Sequence, residues 1–68
     1  MEIEVGKTYR TRDQGTATIE KMDASATLYP YYGEVIDGKG RVIVMGTWSI
    51  GGRFNVSAHS IHDLMYEI

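Results

Sequence analysis

Short runs of alternating apolar and polar residues, each ended by a glycine-containing turn, recur from one end of this chain to the other. No window keeps the i, i+3, i+4 spacing of an amphipathic helix for three turns, so the chain reads as strands and turns. Ile3 and Val5 alternate with Glu2 and Glu4. Lys7 to Arg12 (KTYRTR) alternates about Tyr9, and Asp13-Gln14-Gly15 turns the chain. Thr16 to Met22 (TATIEKM) returns with Ala17 and Ile19 on one face, its β-branched threonines suited to a strand. Asp23 to Thr27 reads as a loop. Pro30 cannot donate to a ladder, so Leu28 to Tyr31 belongs at an edge or at the start of a strand. Tyr32 to Ile36 is the next strand, and Asp37-Gly38-Lys39-Gly40 is the clearest turn, Asp-Gly tolerating the positive φ of a tight hairpin. Arg41 to Trp48 (RVIVMGTW) is the strongest strand. Ser49 to Gly52 turns again, Arg53 to Ser57 reads as a short strand with Phe54 and Val56 inward, and Ala58 to Asp63 as a single helical or 3₁₀ turn. Leu64, Tyr66 and Ile68 alternate as a closing strand.

Five to six short antiparallel strands in one small domain, residues 1–68, must curl to enclose a core, because a flat sheet leaves one face bare. An all-β, SH3-like barrel is the expected fold, its helical or 3₁₀ turn leading into the last strand. An OB-like barrel fits less well, since it usually takes a longer chain and an inserted helix.

The totals limit what such a barrel can do. A domain of this size buries roughly 60% of the surface its unfolded chain exposes, so its stability is modest. With no cysteine it has neither a disulfide nor a thiolate-based metal site. Seven basic and nine acidic residues give a net charge of −2, which argues against general binding to a phosphate backbone. No stretch approaches the roughly 20 apolar residues of a membrane span, and MEIEVGKTYR is acidic and alternating, unlike a signal peptide. A cytoplasmic protein, with no membrane partner, is the expectation.

The order of the signals adds a resemblance. Gly6, Tyr9, Arg12-Asp13-Gln14-Gly15, Tyr29-Pro30, Trp48, Gly52-Arg53 and Asp63-Leu64 follow one another across nearly the whole chain. In this the chain resembles a group of small phage and prophage proteins of unassigned function. The resemblance implies a β-barrel and a phage origin, hence the cytoplasm of a host cell, and it brings no catalytic residues with it.

Several constellations invite a chemical reading, and each has a plainer one beside it. Val5-Gly6-Lys7-Thr8 looks like the end of a phosphate-binding loop, but the first glycine of that motif would fall at Met1 and a strand, not a helix, follows. His59, His62 and Asp63 can share one side of a helical turn, yet zinc needs a further protein ligand, and Asp63 has a simpler task in bonding backbone as the chain enters the last strand. Ser57 and Ser60 lie near the histidines with no strand-to-helix nucleophile elbow. No catalytic set, metal or cofactor is therefore expected. Arg10 and Arg12 share one strand face with Thr8 and, with Lys7 and Arg53, form either a patch for an acidic partner or phosphate, or a solvated face partnered by Glu20 or Glu34.

The aromatic residues and the strongest strand carry the rest. Trp48 and Phe54 are expected in the core. Tyr29, Tyr31 and Tyr32 cannot all point inward, since strand neighbours face opposite ways. Tyr32 and one neighbour should help close the core, leaving Tyr29 or Tyr31 beside Pro30 for a partner, in the manner of aromatic grooves that hold extended peptides. In the strand after Arg41, Val42 and Val44 face one way and Ile43 and Met45 the other, so both faces are apolar. In a small barrel one of those faces needs a cover: the Asp23 to Thr27 loop, or a second subunit meeting Ile43 and Met45.

Together these readings point to a non-catalytic binding module, a phage accessory protein that docks on a host protein through Tyr29, Tyr31, Arg10, Arg12 and Arg53. A nucleic-acid or nucleotide binder using Arg10, Arg12, Arg53 and an exposed tyrosine is the first alternative. A structural subunit of a homo-oligomer is the second.

Overall fold

Five strands form where the alternation is cleanest: β1 (Thr8–Thr11), β2 (Thr16–Met22), β3 (Tyr31–Ile36), β4 (Val42–Trp48) and β5 (Leu64–Glu67), in a computed structural model that describes residues 1–68. They make one antiparallel sheet in the order β4-β3-β2-β1-β5, with the first strand held between the second and the last. This is the expected all-β architecture with five strands. The sheet curls about its core, but β4 and β5 do not pair, so the barrel is open along that seam and is bridged there by the Ser49 to Asp63 connection.

The inner face follows from period-two alternation. Tyr9 comes from β1, Ala17 and Ile19 from β2, Val35 from β3, Trp48 from β4 and Leu64 from β5, with Ile3 completing the buried cluster. Tyr31, Ile43 and Phe54 pack against it from the margin. Each large apolar side chain so buried contributes about 1.5–3 kcal/mol. The two polar atoms that enter with the aromatics are satisfied. Tyr9 Oη donates to the Glu2 carbonyl at 3.1 Å and accepts from the Glu4 amide at 2.8 Å, which draws the N-terminal segment over the core and seats Ile3. Trp48 Nε1 donates to the His62 carbonyl at 2.9 Å, tying the bridging segment to β4.

The turns interlock at one end of the sheet. Asp37 accepts from the Lys39 and Arg41 amides, and the positive φ of this hairpin falls at Gly40 (+81°), not at Gly38. Gly38 is required for another reason: a Cβ there would overlap the Asp13 carbonyl oxygen. Asp13 itself accepts from Thr11 Oγ1, the Gly15 amide and the Gly38 amide, so the β1–β2 and β3–β4 turns are bonded to each other.

Four details depart from the sequence reading. Arg53 to Ser57 is not a strand: Asn55 accepts the Ser57 amide through Oδ1 and the Ala58 amide through its carbonyl, and this local turn leaves Val56 exposed while Phe54 alone reaches the core margin. The segment before β5 holds one hydrogen-bonded turn, Asp63 N to Ser60 O, and does not continue into a helix. Tyr31, not Tyr32, packs on the core, because Tyr31, Gly33 and Val35 share one parity on β3; Tyr32 lies on the other face with its hydroxyl 3.4 Å from Asp23 Oδ2. Finally, a bulge sets Val44 and Met45 together opposite Glu34, between the pairs Gly33–Gly46 and Val35–Ile43. Alternation breaks there, so Ile43 turns to the core while Val44 and Met45 are both exposed.

Candidate functional site

The three arginines singled out in the sequence do not form one patch. β1 ends at Thr11 and its pairing with β5 slips between Arg10 and Thr11, so Arg10 and Arg12 part company. Arg10 stays on the outer face, where Nη1 donates to the Gln14 and Gly15 carbonyls at 3.2 and 3.3 Å and steadies the β1–β2 turn. Arg12 reaches across to the bridging segment. Its partner is Asp63, through Nη2 at 3.1 Å, rather than Glu20 or Glu34, and its Nε donates to the Ser60 carbonyl at 3.2 Å.

Asp63 is the centre of this end of the molecule. Its side chain is 2% exposed, and its two oxygens accept from the Phe54 amide at 2.9 Å, the Ser60 amide at 3.1 Å and Arg12. Bonding backbone is the task read for it from the sequence. Arg53 approaches from the other side with Nε 3.7 Å from Oδ2, beyond hydrogen-bonding range, and that buried nitrogen has no hydrogen-bond partner. His59 Nδ1 stands 3.9 Å from the same oxygen on a largely exposed ring. Burial pushes the Asp63 carboxyl up, but the Phe54 and Ser60 amides and the Arg12 guanidinium outweigh it and hold the group below 3.8.

Two guanidinium charges therefore meet one carboxylate, and the surplus positive charge faces solvent. The terminal nitrogens of Arg53 and Nη1 of Arg12 make no hydrogen bond, and both side chains remain more than a third exposed. The same bridging segment carries three exposed apolar residues, Ile50, Val56 and Ile61, the last next in the chain to Ser60, whose carbonyl accepts from Arg12. Tyr29 meets this segment, half-buried, with its hydroxyl accepting from the Val56 amide at 3.1 Å. Tyr31 does not, being committed to the core margin.

A second exposed apolar area lies at β4. Val42, Val44 and Met45 are exposed there, and Ile36 stands beside Val42 in the β3–β4 register. Of the predicted self-association pair, Met45 belongs to this area and Ile43 does not. The Asp23 to Thr27 loop does not cover it, since Val42, Val44 and Met45 all stay more than half exposed.

Not every remaining polar group is engaged: His62 Nδ1 is buried with no hydrogen-bond partner. His62 packs edge-on against Phe54 with centroids 4.9 Å apart, and no three histidine or carboxylate side chains gather to hold a metal ion. Asp13 and Asp37 both lie below 3.8. For Asp13, burial is opposed and outweighed by the Thr11 hydroxyl and the Gly38 and Gly15 amides, and for Asp37 the Arg41 amide is the main cause. Both carboxylates anchor the turns that they bond. The surface has no pocket. Comparison with protein-family models, with curated proteins and with solved structures finds no match to this chain.

Proposed function

We propose that this chain is a non-catalytic binding module that docks on another protein, a phage accessory protein acting on a host protein. The observation that carries the reading is the Asp63 cluster: two half-exposed arginines with unused donors and one net positive charge, held to a bridging segment that exposes Ile50, Val56 and Ile61 and is bonded to Tyr29. Arginine and tyrosine beside apolar side chains are the groups that dominate protein interfaces. The chemistry selects a partner segment that offers a carboxylate next to an apolar side chain. Arg12 and Arg53 supply the charge-assisted bonds, and Ile61 and Val56 the apolar floor.

A nucleic-acid reader is supported less well. Arg10, which is paired with the exposed Tyr66 in the β1–β5 ladder, spends its guanidinium on two carbonyls.

Selection of a random peptide library on the immobilised protein tests the proposal. Enriched peptides should pair an acidic with an apolar residue, and their binding should fall at least tenfold in Arg53→Glu and Ile61→Asp while surviving Val44→Lys. Enrichment of no sequence class, or binding indifferent to Arg53 and Ile61, overturns it. Binding of single-stranded DNA with a steep salt dependence would instead favour the nucleic-acid reading.

A further inference from the structure

The two edges of the sheet are built differently. β5 is short, contains Glu67 ion-paired to Lys7, and has its Leu64 amide already donating to the Gly52 carbonyl. These are devices by which proteins keep an edge from pairing. β4 lacks the short length, the charge and the occupied amide. Its seven residues, VIVMGTW, include no charge and no proline, and apart from its ladder with β3 no backbone group from Val42 to Thr47 has a hydrogen-bond partner. Its one device of that kind is a bulge, which usually twists an edge away from pairing. This one turns out Val44, 75% exposed, and Met45, 58% exposed.

We infer that β4 pairs antiparallel with β4 of a second copy, joining two five-stranded sheets edge to edge about a two-fold axis near the Val44–Met45 bulge. Three observations select a second copy as the occupant. First, the strand carries no charge: a two-fold axis between Val44 and Met45 sets each Val44 against Met45 of the other copy and brings no charged side chain of the strand opposite another, as an isologous contact allows. Second, like charges stay apart although each copy carries −2. Glu34, the acidic side chain nearest the bulge, is one strand in from the edge. Its two copies would lie three strand spacings apart, roughly 14 Å, beyond the Debye length at physiological salt. The two Arg41 residues fall at opposite ends of the paired strands. Third, the core is small for an unstapled chain. Seven apolar residues are buried and no disulfide helps them, while Ile36, Val42, Val44 and Met45 remain in contact with water on one side of the molecule. Small scaffolds commonly complete such a core by oligomerising.

The contact is modest in extent. Seven residues span about 24 Å. A standard interface of roughly 800 Å² per partner would take about a fifth of the 4171 Å² that the monomer exposes. An edge pairing of this kind falls at or below that size, so dissociation constants on the order of micromolar are expected.

Sedimentation equilibrium from about 1 µM to 1 mM, a range set by that expected affinity, tests the inference. The expected result is a monomer–dimer transition, with a thermal midpoint that rises with concentration. Val44→Lys and Met45→Lys should each weaken the dimer at least tenfold while keeping the monomer's circular dichroism, since both side chains are exposed. Met65→Lys, on the exposed part of β5, should leave the dimer intact. A monomer throughout the range overturns the inference. So does a dimer that survives both β4 variants, or one that Met65→Lys disrupts as strongly. The inference stands apart from the docking surface at Asp63, and peptide binding by a strictly monomeric protein would separate the two.

Discussion

Replacing Asp63 is the sharpest test of what holds this fold together. In Asp63→Ala the Phe54 and Ser60 amides lose their acceptor and Arg12 loses its partner. Hydrogen bonds to a charged group are worth about 1.5–3 kcal/mol each. The arginines offset little of this and add little to it, because at 39% and 38% exposure they rehydrate when the carboxylate is gone. The two amides therefore dominate, and the expected loss is about 3 kcal/mol. At the usual 0.05–0.15 kcal/mol per residue, the whole domain is held by roughly 3–10 kcal/mol, so the variant should sit near the limit of folding. Urea denaturation at fixed protein concentration reads this directly. With an m-value near 1 kcal/mol/M for so small a domain, the midpoint should fall by about 3 M. Asp63→Asn, which keeps one acceptor, should lose about half as much. A midpoint shift under about 1 M for Asp63→Ala, or an equal loss in Arg12→Ala, would refute the assignment of stability to the two amides.

Other expectations follow from the same contacts. Asp13, Asp23, Asp37 and Asp63 all lie below 3.8 in the folded protein, so the unfolded chain binds more protons as acid is added. Stability should be flat from about pH 7 to about pH 5 and should be lost as pH falls below about 4 through the folded-state values. Denaturant midpoints across pH will show this, with a shallower slope in Asp63→Asn. Gly46→Ala puts a Cβ 2.8 Å from Trp48 Cη2 and 3.1 Å from Val35 Cγ2, both fully buried. It should cost about 1–3 kcal/mol in urea titration and alter the near-ultraviolet signal of Trp48. Tyr9→Phe removes both bonds to the N-terminal segment and should cost about 1 kcal/mol, with faster hydrogen exchange at the Glu4 amide.

Period-two alternation was enough to place the strands, because the side chains that define it, Tyr9, Ala17, Ile19 and Val35, all lie on the buried face. The position of the Asp37 to Gly40 turn is readable from the sequence, although its positive φ falls at Gly40 and not at the Asp-Gly pair, and the role of Asp63 is readable from its position before the last strand. What could not be read depends on register or on distance along the chain. The β4 bulge is one extra residue against Glu34, and nothing in VIVM marks it, so Ile43 and Met45 were assigned to one face that they do not share. Arg12 and Asp63 are far apart in sequence, and only the β1–β5 ladder brings them together. Phe54 and Val56 mimic a strand because Asn55 stands between them, yet the same Asn55 captures the backbone into a turn. The position of Tyr31 was within reach: its parity with Val35 on β3 places it inward.

The place of β1 in the sheet bears on how the chain is made. β2, β3 and β4 form a meander of neighbours, and their ladders can close as each strand leaves the ribosome. β1, although synthesised first, has one edge waiting for β5, and the Asp63 anchor that fixes Arg12 arrives just ahead of that strand. Until then Tyr9 and Trp48 lack Leu64 above them. Synthesis and completion of the native structure are thus coupled at the last strand, and a nascent chain stalled before Leu64 would present an unfinished sheet to the chaperones of the cell.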